Sequence, residues 1–175
     1  ALGPIHRDVT VEDWQREAQP LGVMAGVLVQ AAPTEAATVF LLEQAAHHVA
    51  VRGVVGWTDL LAPDAPQRIA DLAAAQPKLK GLRPMLHDIA DADWMLQPAL
   101  APALDAMDAH GLVFDALVRP LHLPRLLTLC QRHPRLQVVL DHGAKPDIAG
   151  GAWQPWADDL QRLARGEDDR GVSSE

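Results

Sequence analysis

Five short runs of apolar, largely β-branched residues recur along this 175-residue chain, and a longer amphipathic stretch separates each run from the next. The runs occupy residues 26–30, 51–57, 79–85, 112–118 and 137–141. Their first residues lie 25 to 33 positions apart, which is the length of one strand, one helix and two short loops. The sequence therefore predicts a strand–helix unit repeated about five times.

The intervals carry helix signals. Thr34 is the predicted N-cap of a helix that reaches His48, and Pro66 suits the first turn of a helix that ends near Ala75. Apolar residues at helical spacing predict three more helices after these and one before the first strand. Those four lie at residues 99–109, 124–132, 156–164 and 11–18.

Strands that are joined through helices run parallel, and a parallel sheet must be covered on both faces or closed into a barrel. No GxGxxG or P-loop follows the first strand, which disfavours a nucleotide-binding open sheet. We therefore predict an α/β fold, a (β/α)8 TIM barrel of which residues 1–175 form one partial domain with about five of the eight units. We expect the remaining N- and C-terminal parts of the barrel to lie outside this sequence, and residues 165–175 to form a polar tail.

Composition excludes several classes of partner. The net charge of -8 disfavours nucleic-acid binding, which needs clustered Lys and Arg. The single cysteine, Cys130, excludes an intrachain disulfide, suits a reducing cytoplasm, and lies among apolar residues like a core residue rather than a nucleophile. No apolar run is long enough to span a bilayer, and residues 1–20 lack the order of a signal peptide. We expect a soluble cytoplasmic protein without nucleic-acid or membrane partners, with homo-oligomerisation left open.

The active sites of parallel α/β folds lie at the carboxyl ends of the strands. The segment VVLDHGAKP (138–146) places His142 just past the fifth strand, and Gly143 lets the backbone turn beside it. Histidine is a ready zinc ligand and general base, so this position suits metal-assisted hydrolysis. The alternative is a histidine that only hydrogen-bonds the strand end, and the local pattern leaves both open.

Three further residues lie at strand ends. Arg83 could bind a ligand anion or pair with Asp59 or Asp115. Because its strand is apolar on both sides, we expect the guanidinium to lie at the rim of the barrel. There it would be available to a ligand rather than held in a buried ion pair. Trp57 fits either an apolar wall for a ring-shaped ligand or a cap on the core. Gln30 can hydrogen-bond a ligand or hold the turn that follows it.

Five segments taken together resemble the amidohydrolase superfamily of TIM-barrel metal-dependent hydrolases, in the branch that holds L-fuconolactonase and 2-pyrone-4,6-dicarboxylate lactonase. They are LVQAAPTEAAT (28–38), RGVVGWTDL (52–60), KGLRPMLHD (80–88), LVFDALVRPLHLP (112–124) and VVLDHGAKP (138–146). No GxSxG elbow occurs, so a serine hydrolase is excluded.

The resemblance implies a hydrolase that opens a lactone, such as a sugar lactone, by attack of an activated water. In the family a His-x-His pair, the histidine of Asp-His-Gly and a last-strand aspartate surround that water; only the third of these four positions falls within this sequence, as His142, with catalytic and metal-binding roles. Arg83, Gln30 and Trp57 match substrate-binding positions. The resemblance also implies a divalent metal, zinc or similar, although the branch includes metal-independent members.

One departure from the family pattern bears on the substrate. The pyrone-dicarboxylate enzymes carry a second arginine six residues after the position of Arg83, and here that position is Ile89. The resemblance therefore implies a neutral sugar lactone rather than a dicarboxylate. The alternative from another class is a catalytically inactive or truncated barrel fragment that acts as a structural or oligomerising unit.

Overall fold

The structure is a computed structural model, and it describes residues 7–166. Five strands form one sheet in the order of the sequence, and every neighbouring pair is parallel. They are β1 (Gly26–Val29), β2 (Val51–Gly56), β3 (Leu79–Leu82), β4 (Val113–Ala116) and β5 (Val138–Leu140). The predicted repeat and the parallel order are confirmed, whereas residues 167–175 of the predicted tail lie outside the described residues.

The six α-helices of the described part begin and end close to the predicted positions. They are α1 (Val11–Ala18), α2 (Glu35–His47), α3 (Ala65–Ala75), α4 (Ala101–Ala109), α5 (Leu123–Arg132) and α6 (Trp156–Arg165). Thr34 caps α2 as predicted, because its hydroxyl oxygen accepts a hydrogen bond from the Ala37 N–H at 3.2 Å. Among these helices none is both long and apolar enough to cross a membrane.

The helices cover the outer face of the sheet, and the core lies between the two layers. Phe114 of β4 and Leu82 of β3 are each 1% exposed, and they belong to the same buried cluster as Met107 of α4, which is fully buried. Gly56 lets α2 approach β2, since a Cβ at this position would come within 2.5 Å of the Thr38 methyl group. The α2 helix is thereby held close to the carboxyl end of β2.

Charged residues lie on the opposite, inner face of the sheet, at the carboxyl ends of three strands. Gly81 is in register with Val113, and Asp115 with Val139. Because side chains alternate between the two faces, residues 83, 115 and 141 follow one another on the inner face at the carboxyl ends of β3, β4 and β5. The sheet register therefore brings Arg83 and two aspartates together.

Candidate active site

Arg83 joins the ends of three strands through its guanidinium. Its Nη2 donates to Oδ2 of Asp115 at 2.8 Å and to Oδ2 of Asp141 at 2.5 Å. Arg83 is 9% exposed and Asp115 is 4% exposed. The expectation that the guanidinium avoids a buried ion pair is wrong, because the register sets Asp115 beside it; the predicted role of Arg83 in substrate binding stays a prediction.

Asp115 is the buried half of this ion pair. Burial raises the pKa of its carboxyl group, and the ion pair with Arg83 opposes that rise. Among the described residues nothing hydrogen-bonds its second oxygen, Oδ1. The carboxylate therefore depends on one arginine for its charge balance.

His142 is close to the carboxylate of Asp141, the second aspartate that Arg83 contacts. Its Nε2 is 3.2 Å from Oδ2 of Asp141, the oxygen that Arg83 also reaches. Its side chain is 61% exposed, in contrast to the buried Arg83. A carboxylate that faces one ring nitrogen orients the imidazole and leaves Nδ1 for chemistry. The catalytic and metal-binding roles of His142 stay predictions.

The backbone that carries His142 has an unusual conformation. Four consecutive residues, from His142 to Lys145, have left-handed φ angles of 51°, 55°, 63° and 51°. Only Gly143 among them adopts this region without cost, and each of the other three costs about 1–2 kcal/mol. The indole N–H of Trp156 donates to the Gly143 carbonyl oxygen at 2.7 Å. We call residues 142–145 the left-handed turn.

Gln30 and Trp57 take different positions at the strand ends. Gln30 is 2% exposed, and its Nε2 donates to the Arg83 carbonyl oxygen at 2.9 Å. Trp57 is half-buried, and its main-chain N–H and carbonyl both hydrogen-bond the Thr38 hydroxyl. Gln30 therefore connects the ends of β1 and β3, while Trp57 is fixed over the end of β2.

Trp57 lines a cleft of about 280 Å³ that begins directly after Arg83. Its apolar lining includes Ile89 and Trp94, and Asp59 and Asp88 lie at its polar edge. The residues that line the cleft thus come from the segments that follow β1, β2 and β3.

Buried polar atoms without a partner gather near Arg83. Within residues 7–166 these atoms are Gln30 Oε1, Arg83 Nε, His87 Nδ1 and Asp115 Oδ1. Buried polar groups are almost always hydrogen-bonded, so water or a ligand is the natural partner here. Burial also lowers the pKa of His87, with the Lys145 charge adding to the effect, which keeps this imidazole neutral.

The described residues do not by themselves form a metal site. No group of three or more His, Cys, Asp or Glu side chains that could hold a metal ion occurs in residues 7–166. A catalytic zinc takes three protein ligands, whereas His142 is the one nitrogen ligand predicted here and its neighbour Asp141 is paired with Arg83. A metal ion bound here would therefore need ligands in addition to His142.

His122 provides a pH-dependent prediction for the fold beneath the site. Its side chain is buried and accepts the Arg119 N–H at Nδ1, and burial lowers its pKa from the ordinary value of 6.5. A histidine whose pKa is depressed by folding stabilises the protein above its unfolded pKa. We expect the free energy of unfolding to fall as the pH drops below 6.5 towards the folded pKa.

Urea unfolding measures this slope when it is repeated at pH values from about 7.5 to about 5, in steps of about half a unit. The matched variant is His122→Asn, which keeps an acceptor for the Arg119 N–H but does not titrate. We expect a shallower loss of stability in the variant, with His87 accounting for part of the remainder. Equal slopes in the two proteins would show that His122 does not carry the effect.

The sequence matches the profile of the amidohydrolase family over residues 2–173. The fold agrees with this match. A crystal structure of a zinc-bound amidohydrolase from Burkholderia multivorans superimposes with a TM-score of 0.86 at 32% identity, covering 94% of this chain and 58% of that one. The chain belongs to the amidohydrolase family, and its five-stranded sheet is part of the TIM barrel of that family.

Two other proteins resemble this chain over most of its length. An L-fucono-1,5-lactonase from Burkholderia ambifaria is 48% identical over 163 residues, which are 93% of this chain and 56% of that protein. A probable 2-pyrone-4,6-dicarboxylic acid hydrolase from Acinetobacter baumannii, with citric acid bound, shares the fold at a TM-score of 0.70 and 18% identity, covering 89% of this chain and 56% of that one. The chain thus spans about half the length of the relatives it matches.

Proposed function

We propose that this protein hydrolyses a neutral sugar lactone to the corresponding hydroxy acid. The observation that carries the proposal is the Asp141 carboxylate, which faces both the Arg83 guanidinium and the His142 imidazole at the strand ends. The 48% identity to an L-fucono-1,5-lactonase supports the same reaction. An anion-binding group and a proton-transfer group are thereby placed side by side.

Arg83 is proposed to bind the oxygen atoms of the lactone. One side of its guanidinium is held by Asp115 and Asp141, so its remaining N–H groups are fixed in direction. A guanidinium of this kind stabilises negative charge that develops on a carbonyl oxygen, and afterwards the carboxylate of the product. Gln30 donates to the Arg83 carbonyl oxygen through Nε2, and its Oε1 can accept a hydrogen bond from the ligand or from an intervening water.

His142 is proposed to act on the reacting water. With Nε2 directed to Asp141, Nδ1 can accept a proton from water as its oxygen bonds to the lactone carbonyl carbon. The ring C–O bond then breaks, and the departing alkoxide takes the proton that His142 accepted, which gives the hydroxyl group of the product and returns His142 to its neutral form. His142 thus takes part in the proton transfers that ring opening requires.

The cleft beside Arg83 favours a neutral ring over a dicarboxylate. Trp57 and Ile89 give it apolar walls. By the family resemblance, Ile89 stands where the pyrone-dicarboxylate enzymes carry a second arginine. Its acidic edge, Asp59 and Asp88, repels a second carboxylate and can accept hydrogen bonds from sugar hydroxyls. A 6-deoxy sugar lactone, with one apolar edge and several hydroxyls, fits this lining.

The zinc bound to the Burkholderia multivorans relative supports the proposal of a divalent metal in this protein, with His142 as one ligand. Because the described residues do not complete a metal site, the proton transfers proposed above are assigned to His142 without a metal. The other partners we propose are those expected from composition: a small-molecule lactone, no nucleic acid and no membrane, in the cytoplasm. A second copy of this chain, in a homo-oligomer, is the remaining partner in the proposal.

The experiment that tests the proposal is a hydrolysis screen of the full-length protein with a pH indicator. We expect turnover of L-fucono-1,5-lactone and related aldonolactones, and little or none of 2-pyrone-4,6-dicarboxylate. Preference for the dicarboxylate would overturn the assignment of the cleft. A folded protein that hydrolyses no lactone, with or without added zinc, would favour the structural or oligomerising unit instead.

A further inference from the structure

The left-handed turn that presents His142 needs an external hold. Backbone conformations of this kind persist in L-residues only where the surrounding structure determines them. The hydrogen bond inside the turn, from the Lys145 N–H to the His142 carbonyl oxygen at 3.0 Å, closes it but leaves the whole turn free to relax. A contact from outside the turn must therefore keep it in place.

Trp156 makes that contact from the first turn of α6. Its indole N–H donates to the carbonyl oxygen of Gly143, the residue that directly follows His142. The 2.7 Å length of this bond is at the short end for N–H···O geometry. The indole also packs against the hydrophobic core, so the donor belongs to a fixed side chain. Buried Ala144 anchors the turn next to it.

We infer that Trp156 is a positioning residue for His142, whose imidazole it holds on the Asp141 carboxylate through the Gly143 carbonyl. Its part in the reaction rests on the proposed function, whereas its effect on the turn does not. Loss of the N–H removes the hold while leaving every predicted catalytic or binding side chain in the protein. The His142 ring then leaves the carboxylate as the strained backbone relaxes.

Two substitutions separate the hydrogen bond from the packing. Trp156→Phe removes the N–H and part of the ring volume. Replacement of Trp156 by 3-benzothienylalanine keeps the bicyclic shape and exchanges the N–H for sulfur. Trp153→Phe is the matched control, because Trp153 contacts Trp156 edge to face, with 5.1 Å between the ring centroids, but is 65% exposed and is not the donor to Gly143.

We expect the benzothienyl protein to keep its melting temperature within a few degrees, and its kcat to fall about 10- to 100-fold with KM nearly unchanged, the effect of a misplaced reacting group. The His142 imidazole resonances in ¹⁵N-histidine spectra should shift or broaden, while Trp153→Phe should leave both quantities unchanged. Wild-type kcat together with unmoved His142 resonances in the benzothienyl protein would overturn the inference. If the wild-type protein hydrolyses no lactone, the His142 resonances alone decide it.

Discussion

His142→Asn should abolish most lactone hydrolysis while leaving the protein folded. General acid–base groups contribute about 10²- to 10⁴-fold to rate, so kcat/KM should fall by a factor in that range. Asparagine is the appropriate replacement because it tolerates the left-handed conformation that residue 142 adopts. Steady-state kinetics with L-fucono-1,5-lactone measures the loss, and circular dichroism checks the fold.

His110→Asn is the control for this prediction. His110 is exposed at the end of α4, before β4 begins, and so lies at the opposite end of the sheet from the candidate site. We expect its variant to retain the activity of the wild-type protein. Near-native kcat/KM for His142→Asn would remove this residue from the catalytic site and with it the main support for the hydrolytic mechanism.

Arg83→Met should destabilise the protein strongly as well as inactivate it. The substitution leaves Asp115 buried without its cation, and breaking a buried ion pair in this way costs about 3–5 kcal/mol. The loss should shrink as the pH falls, because protonation of Asp115 removes the unpaired charge. Urea unfolding at neutral and acidic pH measures both effects.

The double variant Arg83→Met, Asp115→Leu tests the cause of that instability. Replacement of both partners by apolar side chains removes the unpaired charge, so a large part of the lost stability should return. Neither variant is expected to be active, because Arg83 is absent from both. A double variant no more stable than Arg83→Met alone would show that the ion pair with Asp115 is not the source of the loss.

The repeated strand–helix pattern predicted the parallel sheet because each unit is specified locally, by apolar strand residues and by caps such as Thr34. The same pattern placed Arg83 and His142 at strand ends correctly. It did not decide between a free Arg83 and one paired with Asp115, because that choice depends on the register between β3 and β4. The alternation of side chains along β4 places Asp115 on one face of the sheet. Had that face been known to be the one that Arg83 occupies, the ion pair between them would have been the favoured prediction.

Two features of the site carry no comparable signal in the sequence. Gly143 indicated a turn, but left-handed conformations at Ala144 and Lys145 run against the preference of both residues and arise from the surrounding structure. The bond from Trp156 to Gly143 depends on how α6 docks beside the end of β5. The shared contact of Asp141 with Arg83 and His142 arises because the ends of β3 and β5 come together in the sheet.

The proposed function requires that a lactone and its hydroxy-acid product bind at the cluster of Arg83, Asp141 and His142. Selective ¹⁵N labelling of arginine and histidine, followed by titration with L-fuconate, tests it directly. We expect saturable shifts of the Arg83 Nε–H and His142 ring resonances, with the resonances of the other arginine side chains unchanged. Saturable binding of L-fuconate that leaves both of these residues unperturbed would contradict it.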